Sequence, residues 1–465
     1  MLDYPKETSK KQTSPICGFF FIFCLLISVA GCVSVNQQTV SPIPLPDSFS
    51  ASGKAIVGTQ WWRAFDDSHL NGFIDTACNK NFTLLATRER IVQAQALARQ
   101  AGASQSLSLM ATGEFSSRRD YQNKLNTETF SFGLAASYEI DLWGRLKNKT
   151  DAAIFELEAT KADYHSAQIS LSSEVTLTWF KIIEARQQLE LLQQQKETNQ
   201  KVLQVITVQF RSGKTDISDV LQQRQLIESN TGALATLRAN KRVLEHQFAI
   251  LLGHPPKQTT TLYLGQLPKL PPLPQTGVPL ALITRRPDVK SSFLTLQAVD
   301  QKAAAAVASR FPRLSLSANL STTGDSAKDL FSDWFSTLAA NLTRPIIDGG
   351  YLQAEVLRTE SVARQQLNNY SQTILEAIVE VENALVREKE LQHSLTSKEI
   401  QLQLAADTVT HVANRYRQGV ENYQRVLLAL ISQQNLQRSI LGSRLALLSN
   451  RIALYRALSG AIEER

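Results

Sequence analysis

Hydrophobic side chains recur along most of this 465-residue chain with the spacing of an α-helix. The segments from Gly144 to Arg211 and from Gly350 to Arg417 each cover 68 positions. Their apolar residues return about every 3.5 positions, which is the spacing of a coiled coil. As one continuous helix, each segment would extend about 100 Å. An earlier segment, from about Leu70 to Gln100, also has a helical period. The pattern therefore predicts long helices that pack against one another.

A period of two replaces the helical period in four stretches, which predicts four β-strands of about ten residues. Such alternation also occurs in a soluble domain whose sheet packs one face on the core. The strand length and the flanking aromatic residues favour strands that span a membrane instead. Four strands cannot close a barrel, and open sheet edges are not tolerated in lipid, so several chains would share one barrel. The apolar positions are Leu107, Leu109, Ala111 and Phe115; Phe130, Phe132, Leu134, Ala136, Tyr138, Ile140 and Leu142; Leu314, Leu316, Ala318 and Leu320; and Leu338, Ala340 and Leu342.

The second half of the chain repeats the first at an offset of 206 positions. Phe210-Arg211-Ser212-Gly213 corresponds to Tyr416-Arg417-Gln418-Gly419, and the same offset pairs Glu174 with Glu380. A constant offset over such a span indicates an internal duplication. Each of the two stretches joins two long helical segments through a glycine, which can adopt a positive φ and reverse the chain. The sequence thus predicts two copies of a helical hairpin, with tips at Gly213 and Gly419.

The first 31 residues have the organisation of an export signal. Three lysines precede an apolar run from Ile16 to Ala30, and the run ends in Val29-Ala30-Gly31-Cys32. Fifteen helical residues cover only about 22 Å, less than the roughly 30 Å of a bilayer's hydrocarbon core, which disfavours a transmembrane anchor. The ending resembles a bacterial lipobox, whose cysteine becomes acylated. We therefore predict a lipoprotein signal peptide and, on Cys32, a covalently attached lipid that includes palmitate.

Composition and charge disfavour several other classes of function. Apolar residues make up 43% and charged residues 20%, which is typical of a folded chain. The net charge is +7, but the basic residues lie mostly beside acidic ones, so no nucleic-acid-binding surface is predicted. The histidines have no metal-like spacing, and Cys78 is the only cysteine beyond Cys32, so we predict no metal site and no disulfide. No nucleophile elbow or phosphate loop is present, and we predict no catalytic residue, no cofactor and no enzymatic activity.

These features divide the chain into six parts. A proline-rich connector joins the two repeats, and seven of the 15 prolines lie between His254 and Pro279. We expect one short strand in it, around Thr261-Leu264. Arg285-Arg286-Pro287-Asp288-Val289 then starts the next helix, with proline in its first turn. The parts are the signal peptide at 1–31, a lipidated extended segment at 32–69, repeat 1 at 70–253, the connector at 254–284, repeat 2 at 285–460 and a short C-terminus at 461–465. Each repeat is expected to contain a helix, two strands and a long helical hairpin.

Several motifs together resemble outer-membrane efflux channels of the TolC/OprM type, specifically the NodT-like lipoprotein branch. They span nearly the whole mature chain in the order found in that family. They are the lipobox at Cys32, Trp61-Trp62, Tyr138-Glu139-Ile140-Asp141-Leu142-Trp143-Gly144, Arg285-Arg286-Pro287-Asp288-Val289, Phe311-Pro312-Arg313-Leu314-Ser315-Leu316, Asp348-Gly349-Gly350 and the two tip turns.

The resemblance implies an α+β membrane protein that assembles as a homotrimer. Each chain would contribute four strands to one twelve-stranded β-barrel in the outer membrane, continued by a long α-helical coiled-coil barrel across the periplasm. The connector and the chain ends would form a belt around the helices. The channel would be a passive exit duct for small molecules that docks to a periplasmic adaptor, a membrane fusion protein, and to an inner-membrane pump. The adaptor-docking tips would comprise Gly213, Gly419, Arg211 and Arg417.

The resemblance also places a periplasmic gate at the tips. Asp219 and Arg425 each lie six residues beyond a tip glycine, so we expect them at similar depth on neighbouring coils. We predict an Asp219–Arg425 link around the trimer, with Glu421 and Arg417 as alternative partners, while the alternative is a pair of solvated charges. Leu428 stands where relatives of this branch commonly have an aspartate, so an acidic ring is not carried over.

Two other functions are compatible with at least part of the sequence pattern. A coiled-coil lipoprotein tethered to the outer membrane would account for Cys32 and the helices, but not for the four alternating strands. An exit duct of a protein-secretion system would share the whole architecture. The sequence does not name the cargo, the adaptor or the pump.

Overall fold

The structure is a computed structural model that describes residues 43–56, 58–256 and 265–459. The predicted signal peptide, the predicted lipidation site Cys32, the strand expected around Thr261-Leu264 and the short C-terminus lie outside these residues. The described residues form two compact units. One unit holds residues 100–152 and 299–363, and the other holds 43–99, 153–298 and 364–459.

The first unit contains a four-stranded antiparallel sheet in the order β1-β2-β3-β4. The alternating stretches do form the strands, as predicted, and the pairing register places their apolar positions on one face. One row across the sheet, for example, consists of Leu109, Ala136, Ala318 and Leu338. β1 and β4 are the edge strands. The bounds are β1 Ser108–Asp120, β2 Leu125–Ile140, β3 Arg313–Gly324 and β4 Trp334–Thr343.

Eight α-helices account for most of the remaining described residues. α3 and α7 have 67 residues each, and both of their ends are separated by the predicted offset of 206 positions. The return arms α4 and α8 begin at the same offset. No helix among the described residues has a stretch long and apolar enough to cross a membrane. The bounds are α1 Ser68–Lys80, α2 Phe82–Ala103, α3 Arg145–Arg211, α4 Ile217–Leu251, α5 Pro279–Arg285, α6 Pro287–Ala308, α7 Tyr351–Arg417 and α8 Tyr423–Leu458.

The prediction of a single helix from about Leu70 to Gln100 is wrong, because the helix is interrupted at Asn81. Asn81 has an extended backbone, with φ −67° and ψ 118°. Its side chain accepts a hydrogen bond from the Leu84 amide (3.0 Å) and donates one to the Leu251 carbonyl (3.1 Å). Asparagine competes for backbone groups in this way at helix starts, so it ends α1 and begins α2.

Aromatic residues near the N-terminus form the centre of the second unit's core. Trp61 and Phe65 lie in a short 3-10 helix and pack against Tyr455 of α8, with ring centroids 5.7 and 5.8 Å apart. Phe65 also meets Phe180 of α3 at 5.1 Å. Aromatic side chains bury large apolar areas, so this short helix ties the N-terminal segment to two long helices.

The described part of the connector is held by the N-terminal segment and by α8. The Gly53 amide donates to the Pro274 carbonyl (2.9 Å), and the Gln275 amide donates to the Ala55 carbonyl (2.7 Å). A Cβ atom on Gly53 would lie 1.8 Å from the Leu273 carbonyl oxygen, so only glycine allows this approach. Ala55 and Pro274 form an isolated parallel β-bridge, but the 3-10 helix from Trp61 to Phe65 lies within the segment predicted to be extended, and α5 lies largely within the connector.

Candidate functional site

The candidate site is the pair of hairpin tips, where α3 turns into α4 and α7 turns into α8. Gly213 and Gly419 have φ values of +72° and +76°, which confirms the predicted left-handed turns. The Gly213 amide donates to the Phe210 carbonyl (2.9 Å) and the Lys214 amide to the Gln209 carbonyl (2.9 Å). This pattern is a Schellman motif, and it satisfies carbonyls at the helix end. The second tip has the same motif: the Gly419 amide donates to the Tyr416 carbonyl, and the Val420 amide donates to the Arg415 carbonyl.

A side chain caps the helix that follows each turn. Asp216 accepts a hydrogen bond from the Ser218 amide (2.7 Å), and Asn422 accepts one from the Arg425 amide (3.2 Å). The bond from the Ser218 backbone lowers the pKa of Asp216, because it stabilises the carboxylate. Reversal glycine and N-cap together fix a tight turn at each tip.

A small apolar cluster joins the two hairpins just behind the tips. It consists of Ile206 and Val220 of the first hairpin and Tyr423 and Leu427 of the second. The Tyr423 hydroxyl donates to Gln223 Oε1 at 2.7 Å inside this cluster. Burial, followed by the neighbouring Tyr416 and then the charge of Asp219, raises the pKa of Tyr423, so its hydroxyl keeps the proton it donates.

A line of buried amide side chains continues from Tyr423 between α3, α4 and α8. We call Asn199, Gln223, Tyr423 and Gln434 the polar ladder. Gln223 donates to the Asn199 carbonyl (2.7 Å), and the amides of Asn199 and Gln434 bond reciprocally at 3.2 and 3.0 Å. All four side chains are buried. Buried polar groups are costly without partners, so this ladder specifies how the two hairpins align.

The structure pairs the predicted gate charges differently within the chain. Arg425 Nη1 lies 3.1 Å from Glu421 Oε2, and Arg415 Nε lies 3.7 Å from the same oxygen. Asp219 instead accepts a hydrogen bond from Thr215. Among the described residues no ion pair joins Asp219 to Arg425. A link between neighbouring copies of the chain stays a prediction.

The other residues predicted for the tips are accessible. Arg211, Arg417 and Leu428 are exposed, and Arg417 Nε donates to the Ala413 carbonyl at 3.4 Å. The polar ladder was not predicted from the sequence. A glutamine or asparagine at an apolar heptad position would have been the signal, since such residues set the alignment of coiled coils.

The described ranges hold no group of three or more His, Cys, Asp or Glu side chains that could bind a metal ion. Cys78 packs at the edge of the core, and burial raises its pKa to about 11, so its thiol is not activated.

Two glycine-reversed helical hairpins and a sheet with one apolar face define a protein of the outer-membrane channel class. The family model described as outer membrane efflux protein matches residues 73–254 and 278–460. The chain belongs to this family, whose members are efflux channels of the outer membrane and not enzymes.

Two curated relatives and one solved structure illustrate the similarity. The pyoverdine export outer membrane protein OpmQ of Pseudomonas aeruginosa is 29% identical, over 94% of this chain and 95% of that protein. Nodulation protein T of Rhizobium leguminosarum bv. viciae is 24% identical, over 94% of this chain and 92% of that protein. A crystal structure of CusC superposes with a TM-score of 0.82 at 27% identity, covering 92% of this chain and all of that one. These matches confirm the resemblance to TolC/OprM-type channels.

Proposed function

We propose that three copies of this chain form one exit duct for small molecules, with a twelve-stranded barrel continued by a helical barrel. The open four-stranded sheet carries this proposal. Its apolar face is in register across all strands, so it suits lipid, yet β1 and β4 leave their outer backbone groups unpaired. In lipid such edges must pair, and pairing β4 of one copy with β1 of the next closes a barrel.

The internal duplication and the six proposed parts of the chain are supported by the repeated helix bounds. α3 and α7 correspond end to end at the offset of 206, and the family model matches one segment on each side of the connector. We infer that each repeat contributes two strands and one hairpin to the duct.

The tips are the proposed docking surface for a periplasmic adaptor, which would connect the duct to an inner-membrane pump. They expose Arg211 and Arg417 on rigid, capped turns, so the surface is formed before a partner arrives. The proposed gate lies behind them and includes Asp219, Arg425, Glu421 and Leu428.

Cys32 is proposed as the site of lipidation, on the basis of the preceding Val29-Ala30-Gly31. Labelled palmitate should enter the wild type and be absent from Cys32→Ser, whereas equal labelling would remove this residue as the anchor. We expect the variant still to assemble, because the barrel itself holds the protein in the membrane.

Electrophoresis and single-channel recording of the detergent-purified full chain test the duct. We expect a trimer that heat dissociates and that conducts ions across a planar bilayer. A monomeric rod that does not conduct would instead support a structural spacer.

A further inference from the structure

A group of charged side chains lies at the end of the sheet from which α3 starts. Glu139 and Arg313 belong to the polar face, because both alternate with the apolar positions of β2 and β3. Glu139 is opposite Ser315 in the register, and Arg313 comes two residues before Ser315. The two side chains are therefore diagonal neighbours on that face.

α3 brings two further basic residues to the same place. Arg145 holds the Glu139 carboxylate with two bonds of 2.7 Å from Nη2 and one of 3.2 Å from Nε. Lys149 lies one helical turn further on the same side of α3. Partial burial lowers the pKa of Lys149, and the positive charges of Arg145 and Arg313 lower it further, against the opposing effect of Glu139. The charges of Arg145, Lys149, Arg313 and Glu139 therefore interact as one group.

The acidic residues just before α3 and α7 are already engaged. Asp141 accepts a bond from the Lys147 amide (2.8 Å) at the start of α3, and Asp348 accepts bonds from the Gly350 and Leu352 amides at the start of α7. Carboxylates at such helix starts are balanced by the positive end of the helix dipole. Glu355 is bound to Arg358 at 2.7 Å.

Arg313 and Lys149 remain without a carboxylate at ion-pair distance in the part of the chain that the structure describes. Both residues are exposed overall, although Lys149 is partly covered. They can therefore meet a solute.

We propose that Arg313 and Lys149 form a basic collar in the duct, which selects small anionic cargo such as carboxylates. This inference rests on the proposed trimeric duct, in which the polar face of the sheet lines the lumen. Three copies would place six such cations around one passage. Charge of one sign on a low-dielectric wall concentrates counter-ions of the opposite sign. Solvated side chains keep this attraction weak enough for an anion to leave, as conduction requires.

The reversal potential across a planar bilayer tests the collar. A gradient of potassium gluconate reports the permeability of a small carboxylate relative to potassium. The permeability ratio is measured only at the largest single-channel conductance level, where the tips are most open. A closed tip would impose its own ion selectivity on the measurement. Replacing both cations, in Lys149→Gln/Arg313→Gln, should lower the gluconate-to-potassium ratio by about twofold or more. The change should be larger at 0.1 M than at 1 M salt, where the Debye length falls from about 10 Å to about 3 Å.

Lys147→Gln is the matched control, since Lys147 is an exposed lysine two positions away that faces another side of α3. We expect it to leave the ratio unchanged, with Lys149→Gln alone giving a smaller shift than the double variant. An unchanged ratio in the double variant at 0.1 M, or equal shifts at Lys147 and Lys149, overturns the collar while conduction still supports the duct. A wild type that does not conduct overturns the duct itself. If the double variant forms no trimer, the single variants Lys149→Gln and Arg313→Gln are compared with Lys147→Gln instead, and an unchanged ratio in both overturns the collar.

Discussion

Arg451 is a buried residue whose side chain bonds to several separate parts of the chain. Its side chain is 1% exposed and donates to both carboxylate oxygens of Glu388, at 2.8 and 2.5 Å. It also donates to the carbonyls of Pro271 and Pro272, at 2.5 and 2.7 Å. One guanidinium thus joins α7, α8 and the connector, and its fixed fork matches this set of acceptors.

Arg451→Ala should lower the free energy of unfolding by about 3–5 kcal/mol, because it leaves a buried carboxylate without its partner. Two proline carbonyls also lose their donor. Chemical denaturation of the purified protein, followed by circular dichroism, measures the loss.

Arg444→Ala provides the matched control within the same pair of helices. Arg444 bonds Glu399 at 3.0 Å, but the two side chains are 53% and 46% exposed. An exposed pair contributes roughly 0.2–1 kcal/mol, so this change should be small. Similar losses in both variants would contradict the structural role of Arg451.

Neither this arginine nor Arg286 could be assigned from the sequence. Arg286 was part of a predicted helix start, and α6 does begin at Pro287. Its side chain, however, bonds Asp288 at 2.6 Å, Glu380 at 2.9 Å and the Ala457 carbonyl at 3.2 Å. These partners lie up to 171 positions away, and no local pattern reports such contacts.

Among the helices and strands, those with long regular periods were predictable. The period of two located all four strands, and the repeated glycine located both hairpin tips, because each signal is local in sequence. The break at Asn81 was missed, since the apolar period continues through it and the deciding contact is with Leu251, 170 positions away. The polar ladder was missed for a similar reason, because its members come from three helices.

The polar ladder should hold the second hairpin against the first. Tyr423→Phe removes the donor to Gln223 and leaves a buried oxygen unsatisfied, which costs about 1–3 kcal/mol. If opening of the tips separates the hairpins, this change favours the open state. We expect a higher open probability in single-channel records and greater sensitivity of cells to large antibiotics.

Tyr370→Phe is a suitable comparison for this variant. Tyr370 packs against Phe293 with ring centroids 5.5 Å apart, and its hydroxyl has no hydrogen bond among the described residues. It should behave as wild type. Equal open probabilities for all three proteins would mean that the ladder aligns the hairpins without resisting their separation.

For the assembled molecule, the tip charges suggest a contact between copies of the chain. Within one protomer, Glu421 is shared between Arg425 and Arg415, whereas Asp219 has only the Thr215 hydroxyl as a close partner among the described residues. Asp219 is half-buried at the start of α4, and no lysine or arginine forms an ion pair with it among the described residues. It is therefore free to meet an arginine from a neighbouring hairpin, and Arg425, at the equivalent position, is exposed.

Charge exchange at these positions decides whether such a link closes the trimer. Each exposed pair is worth roughly 0.2–1 kcal/mol, so three pairs bias closure by at most about 3 kcal/mol, which adaptor docking could overcome. Asp219→Ala and Arg425→Ala should each raise conductance and antibiotic leak, and the exchange Asp219→Arg with Arg425→Asp should restore closure. The exchange also breaks the Arg425–Glu421 pair, so Glu421→Gln is the control that measures how much of any change comes from the loss of that pair alone. Wild-type conductance in both alanine variants, or failure of the exchange to restore closure, would place the gate elsewhere.

Since screening shortens the range of exposed charges, the differences between variants should shrink from 0.1 M to 1 M salt.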